Sequence, residues 1–118
     1  MDNPVNILSI TNPRPHSDDP EHRRLKKDLI MICARVHPGE TNSSFACEGL
    51  IRFLLSDSEE ANNFRTHFII KIVPFLNPDG VIHGNYRTSL SGHDLNRRWK
   101  RPDKNLHPEI CAIKKYLT

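Results

Sequence analysis

Apolar residues fall in short blocks separated by polar stretches, and the period within each block predicts an element. Val5 to Thr11 ("VNILSIT") is a β-branched run closed by Asn12-Pro13, which predicts a strand followed by a loop. Pro13 to Pro20 ("PRPHSDDP") is proline-rich and charged, as expected of an exposed connection. Leu29 to Val36 ("LIMICARV") is almost wholly apolar before His37-Pro38, which predicts a strand covered on both faces, as in a parallel sheet. Ala46, Leu50, Phe53 and Leu54 then recur at helical spacing, with Ser43 or Ser44 as candidate N-cap. A shorter helix is expected over Glu59–Thr66, and Phe68 to Val73 ("FIIKIV") predicts another buried strand, closed by the turn residues Asn77-Pro78-Asp79-Gly80. Residues 81–104 show no period and read as a long ordered loop, a feature uncommon in compact domains unless functional. The final block suits a helix with Pro108 in its first turn, Ile110, Ile113 and Leu117 on one face, and Lys114-Lys115 at the carboxyl end. The order is that of an α/β domain.

Composition narrows the class without naming a chemistry. With 118 residues the chain suits one domain, and 26% charged residues beside 36% hydrophobic ones are ordinary for a globular protein. No apolar run approaches the ~20 residues of a membrane span, and the amino terminus lacks the basic and apolar regions of a signal peptide. Cys33, Cys47 and Cys111 are an odd number without close spacing, which fits reduced, buried thiols and a cytoplasmic location. The net charge of +3 is mild. The basic clusters at Arg23–Lys27 and Arg97–Arg101 read as solvated faces, since no aromatic interleaving or finger spacing points to nucleic acid.

The stretch "ARVHPGETNSS" at 34–44 places an imidazole and a carboxylate three residues apart around Pro38-Gly39. The residue before a proline is pushed out of the helical region, so His37 is expected extended at the carboxyl end of its strand, where open α/β sheets bind ligands. Two readings stand: a polar turn, or half of a zinc site, since imidazole nitrogen and carboxylate oxygen are both zinc donors. Among the remaining histidines, His67 reads as a strand-end residue, His107 as a helix-cap residue, and His83 and His93 as loop residues. Trp99 reads as a packing anchor.

Taken together, "RVHPGETNSSF", "PFLNPDGV" at 74–81 and "GNYRTSLSGHDLNRRW" at 84–99 resemble the carboxypeptidase A-type zinc metallocarboxypeptidases. The closer likeness is to their cytosolic branch, which trims glutamates from the carboxyl ends and side-chain branches of tubulin and other proteins. The resemblance covers the chain from about Val5 to Leu117. It implies a partial carboxypeptidase-like three-layer α/β/α fold with a mixed, mostly parallel sheet. It also implies Zn2+ held in part by His37 and Glu40, oxyanion stabilisation by Arg87, and capture of the substrate's terminal carboxylate by Asn96 and Arg97. The partners implied are acidic C-terminal protein tails such as those of tubulin, not nucleic acid or membrane. The family's third zinc ligand, a histidine, and its general-base glutamate lie further downstream, and a β-rich domain precedes the catalytic domain in the cytosolic branch. Residues 1–118 are therefore expected to be the N-terminal portion of a catalytic domain, inactive and marginally stable alone. The alternative is a non-catalytic module that binds C-terminal carboxylates through Arg87, Asn96 and Arg97.

Overall fold

A computed structural model of the protein describes residues 3–13 and 26–117. Most of the proline-rich connection and of the basic cluster at 23–27 lies outside these residues. Strands β1 (Leu8–Ile10), β2 (Asp28–Cys33) and β3 (Phe68–Val73) form a sheet in the order β1-β3-β2. β2 runs parallel to β3 from Asp28 opposite Phe68 to Cys33 opposite Val73, and β1 pairs antiparallel, with Leu8 opposite Ile72. A parallel pair requires a crossover, which α1 (Thr41–Leu54) and α2 (Glu59–His67) supply.

Alternation along the strands feeds two cores. Ile10, Ile70 and Ile72 pack with Cys47 and Leu54, joined by the half-buried Ile32, Leu50 and Ile51. On the other face, Val73, Leu76, Leu95, Ile110 and Ile113 gather Val5, Ile7, Met31 and Cys33. Ile110 and Ile113 belong to the last helix, Pro108–Leu117, so helices cover both faces of a mixed sheet in three layers. Leu117, expected on the buried face of that helix, is exposed.

Several boundaries differ from expectation. The strand expected to reach Val36 ends at Cys33, and its first residues are exposed: Asp28 and Leu29 lie at an edge of the described sheet. Arg35 adopts φ 50°, which turns the chain out of the strand before His37. α1 begins at Thr41 with Glu40 at its N-cap and no side-chain cap; Ser43, expected as a cap, lies inside the first turn, where its hydroxyl donates to the Glu40 carbonyl at 2.9 Å. α2 follows expectation, its end capped by Ser58. Asn77-Pro78-Asp79-Gly80 does not make a free turn; it opens a third helix, α3 (Pro78–His83). Proline in the first turn and asparagine as cap are start signals, and Gly84 at φ 82° stops the helix. The long segment thus begins inside α3 and contains a 3-10 turn at Leu95–Arg97, and the last helix is α4 (Pro108–Leu117). The three cysteines are free; burial pushes the Cys33 and Cys47 thiols up, as suits inert packing residues.

Candidate functional site

Because β2 and β3 are parallel, their carboxyl ends share one edge, β2 being followed by the Pro38-Gly39 turn and β3 by the start of α3. Asn77, fully buried, joins the two. Its Oδ1 accepts from the Gly80 amide at 3.0 Å and its Nδ2 donates to the Val36 carbonyl at 3.3 Å, beside His37. Gly80 lies so close to Pro38 that a Cβ there would stand 2.6 Å from the proline Cγ. On the other side, the Gly39 amide donates to the Tyr86 carbonyl at 2.7 Å, and a Cβ on Gly39 would stand 2.8 Å from that oxygen. The segment that follows α3 therefore docks directly on the Pro38-Gly39 turn.

This docking brings Asp94 against His37. The imidazole is buried, with Nδ1 3.0 Å from Glu40 Oε1 and Nε2 2.9 Å from Asp94 Oδ1. Asp94 also accepts from the Asn96 amide at 2.9 Å on Oδ1, and from Arg87 on Oδ2, at 2.9 Å from Nε and 2.8 Å from Nη2. Burial alone would push the Asp94 carboxyl up. The hydrogen bonds from His37, the Asn96 amide and Arg87 outweigh it and hold the group below the usual carboxylate range.

A neutral imidazole carries one N–H, so it can donate to only one of two carboxylates. With Nε2–H given to Asp94, the Nδ1 lone pair faces Glu40 Oε1 across 3.0 Å. Two lone pairs at that distance repel unless a proton or a cation lies between them. Glu40 is half open to solvent, whereas Asp94 is largely covered, so a cation can approach from the Glu40 side. The donor types and the carboxylate behind the histidine both fit zinc. Among the described residues, however, no group of three or more His, Cys, Asp or Glu side chains could hold a metal ion, so the pair offers two donors.

The other residues singled out from the sequence lie on the same segment. Arg87 is close to His37 through the shared Asp94. Asn96 reaches the cluster through its backbone amide, while its side-chain oxygen accepts from Trp99 Nε1 at 2.9 Å. Arg97 is exposed on the 3-10 turn. Asp94 escaped the sequence reading; the signal was available as a short side chain capping a helical turn within "GHDLNRRW". His93 and His107 meet each other: Asp103 N–H donates to His107 Nδ1 at 3.0 Å, so His107 carries its proton on Nε2 and donates it to His93 Nδ1 at 3.0 Å. His67 sits at the end of α2 and contacts the Asn63 carbonyl, and His83 ends α3.

Comparison with known proteins bears on this geometry. The family model described as zinc carboxypeptidase matches residues 1–111. Cytosolic carboxypeptidase 1 of Danio rerio is 49% identical over 112 residues, 94% of this chain and 10% of that protein. Cytosolic carboxypeptidase 6 of Mus musculus is 46% identical over 113 residues, 96% of this chain and 20% of its own length. The chain thus spans between about a tenth and a fifth of these relatives. Among solved structures, a metallo-carboxypeptidase from Burkholderia cenocepacia superposes with TM-score 0.81 at 34% identity, covering 94% of this chain and 29% of that one. A metallo-carboxypeptidase from Pseudomonas aeruginosa, solved with (2-guanidinoethylmercapto)succinic acid, gives 0.80 at 30% identity, covering 96% and 28%.

Proposed function

The chain belongs to the zinc carboxypeptidase family, and on that premise we propose that it carries part of the site of a metallocarboxypeptidase acting on acidic C-terminal tails, with His37 and Glu40 as two of the three protein donors to Zn2+. The supporting observation is the His37 ring held between two carboxylates, one largely covered behind it and one half open to solvent in front. When bound, zinc acts as a Lewis acid toward the scissile carbonyl. The remaining roles fall to side chains of this chain. Asp94 holds the Nε2–H of His37, which fixes the tautomer and directs the Nδ1 lone pair to the donor position. Arg87, steadied on Asp94 through Nε and Nη2, keeps further N–H donors for the oxyanion that develops on the scissile carbonyl. Arg97 and Asn96 receive the substrate's terminal carboxylate, a task suited to the planar guanidinium fork.

Glutamate-rich tails, those of tubulin among them, are the substrates this reading favours, and the cytoplasm is the compartment; the relatives' names as cytosolic carboxypeptidases support carboxypeptidase action and the compartment in outline. Among the described residues no helix is long and apolar enough to cross a membrane. On this reading residues 1–118 form the N-terminal portion of the catalytic domain. With two metal donors and no glutamate assigned as general base, they do not hydrolyse peptide by themselves.

The test is a zinc titration of the purified chain by calorimetry beside His37→Ala and Glu40→Ala. One-to-one binding weaker than a three-donor site, abolished in both variants, is expected. Binding that survives His37→Ala would overturn the donor assignment, and zinc-dependent release of a C-terminal glutamate by the wild-type chain would overturn the claim of inactivity. The small donor set also favours a second reading, a carboxylate-binding module. Peptide binding that persists in a metal chelator and is lost in Arg97→Ala would select it.

A further inference from the structure

Arg35 is the one described non-glycine residue with positive φ, and it stands two positions before His37. Left-handed backbone is where glycine, not a long side chain, is expected, so something must hold arginine there. Four hydrogen bonds do. Its amide donates to Ser43 Oγ at 3.1 Å, whose own hydroxyl donates to the Glu40 carbonyl at 2.9 Å. Its carbonyl accepts from the Asn77 amide at 3.3 Å. The guanidinium donates from Nε to the Pro38 carbonyl at 2.8 Å and from Nη1 to Ser44 Oγ at 2.8 Å, lying 5.6 Å from the Phe75 ring centroid.

The left-handed turn folds the side chain back over the residues that follow it. One end of the His37–Glu40 turn is thereby tied to the first turn of α1 by a planar, always-charged group. A charge-assisted bond to a carbonyl inside the turn resists the peptide rotation that would swing Glu40 away from His37.

We propose that Arg35 is a positioning residue that locks the Pro38-Gly39-Glu40 turn so that Glu40 Oε1 faces His37 Nδ1. The proposal rests on the reading of His37 and Glu40 as a metal-donor pair. Arg35 touches neither side chain and acts through Pro38, Ser43 and Ser44.

Arg35→Gly is the informative variant, because glycine accepts the same φ, so the side chain and its guanidinium are lost without backbone strain. Amide hydrogen exchange is read in the metal-free chain, independently of the zinc reading. Arg35→Gly is expected to speed exchange at Gly39 and Glu40 about tenfold, the factor one charge-assisted hydrogen bond supplies, with Ile70 and Ile72 in β3 unchanged. Arg35→Lys, which can supply one donor, falls between, and millimolar guanidinium ion restores protection in Arg35→Gly. In parallel, zinc affinity, read with zinc chloride against a chromophoric chelator, falls about tenfold in Arg35→Gly. Unchanged exchange at Gly39 and Glu40, or equal acceleration at Ile70 and Ile72, overturns the proposal. The expected exchange pattern in a chain that binds no zinc upholds the lock and overturns the metal-donor reading instead.

Discussion

Replacing Asn77 by alanine tests whether the turn after β2 and the start of α3 are one mechanical unit. Asn77 is completely buried, so its interactions are not screened by solvent. Alanine strips the buried Gly80 amide of its acceptor, a bond of 3.0 Å that is also the N-cap of α3. An unsatisfied buried donor costs about 1–3 kcal/mol, and a lost cap about 0.5–2; these describe the same bond and are not summed. The longer contact to the Val36 carbonyl, 3.3 Å, adds about 0.5 kcal/mol. The expected loss is therefore about 2 kcal/mol, or about 8 °C in Tm for a chain of this size. Asn77→Ser keeps an acceptor for Gly80 and gives up only Val36, so it should melt within about 3 °C of wild type. Circular dichroism melts of the three proteins check the order. A wild-type-like Asn77→Ala, or a serine variant as damaged as alanine, would refute the assignment of the cost to the Gly80 amide.

Asp94→Asn keeps an oxygen for His37 but turns an NH2 toward Arg87; zinc affinity by chelator competition should fall about tenfold, with no change in far-ultraviolet circular dichroism. Gly39→Ala should be worse than its exposed position suggests, because the new Cβ meets the Tyr86 backbone oxygen at 2.8 Å; the exposed Tyr86 ring can swing aside, but its carbonyl cannot, and hydrogen exchange should show residues 84–99 loosened. His107 makes a pH prediction. Burial, then the charges of His93 and Arg98, hold its imidazole below the ordinary 6.5, against a smaller opposing effect of Asp103. Above pH 6.5 neither folded nor unfolded chain protonates it and its contribution is intact; as pH falls below that value the unfolded chain takes the proton first, so stability is lost down to the folded pKa. His107→Asn keeps an acceptor for the Asp103 amide, and its Tm should fall less steeply than that of wild type as pH drops below 6.5. Parallel curves would remove His107 from the account.

The elements were legible wherever a local period decides the structure. Isoleucines at alternate positions of "FIIKIV" face one core while Val73 and Met31 face the other; of the stripe expected on α1, Leu54 and the half-buried Leu50 face the core with Cys47, whereas Ala46 and Phe53 are exposed, and on α4 Ile110 and Ile113 are buried but Leu117 is not. What the sequence hid is where tertiary contacts override local preference. Nothing in "ICARV" announces that Arg35 leaves the strand, because its conformation is fixed by Ser43, Ser44 and Asn77, elements that come later in the chain. Ser43 is a good cap in isolation, yet the helix starts before it, at Thr41, and its oxygen accepts from the Arg35 amide instead. The aperiodic stretch 81–104 was opaque for a related reason: Asn77 and Pro78 start a helix too short for any apolar period to show.

The site divides along the same line. His37 and Glu40 are neighbours through one turn, so an apolar strand followed by H-x-x-E was enough to single them out. Asp94 lies 57 residues from His37, and no local rule connects them. Yet Asp94 gives the pair its chemical direction. One carboxylate binds the imidazole on one oxygen and the Arg87 guanidinium on the other, so the His37 ring and a cationic side chain are set relative to each other through that one planar group. Had His37 faced Glu40 alone, its proton would sit on Nδ1 and satisfy the contact, and the turn would be the polar turn that the sequence equally allowed. A proton held on Nε2 by the better covered acceptor, Asp94, would leave a lone pair facing an open carboxylate on the solvent side, an arrangement that a second proton or a metal ion would satisfy.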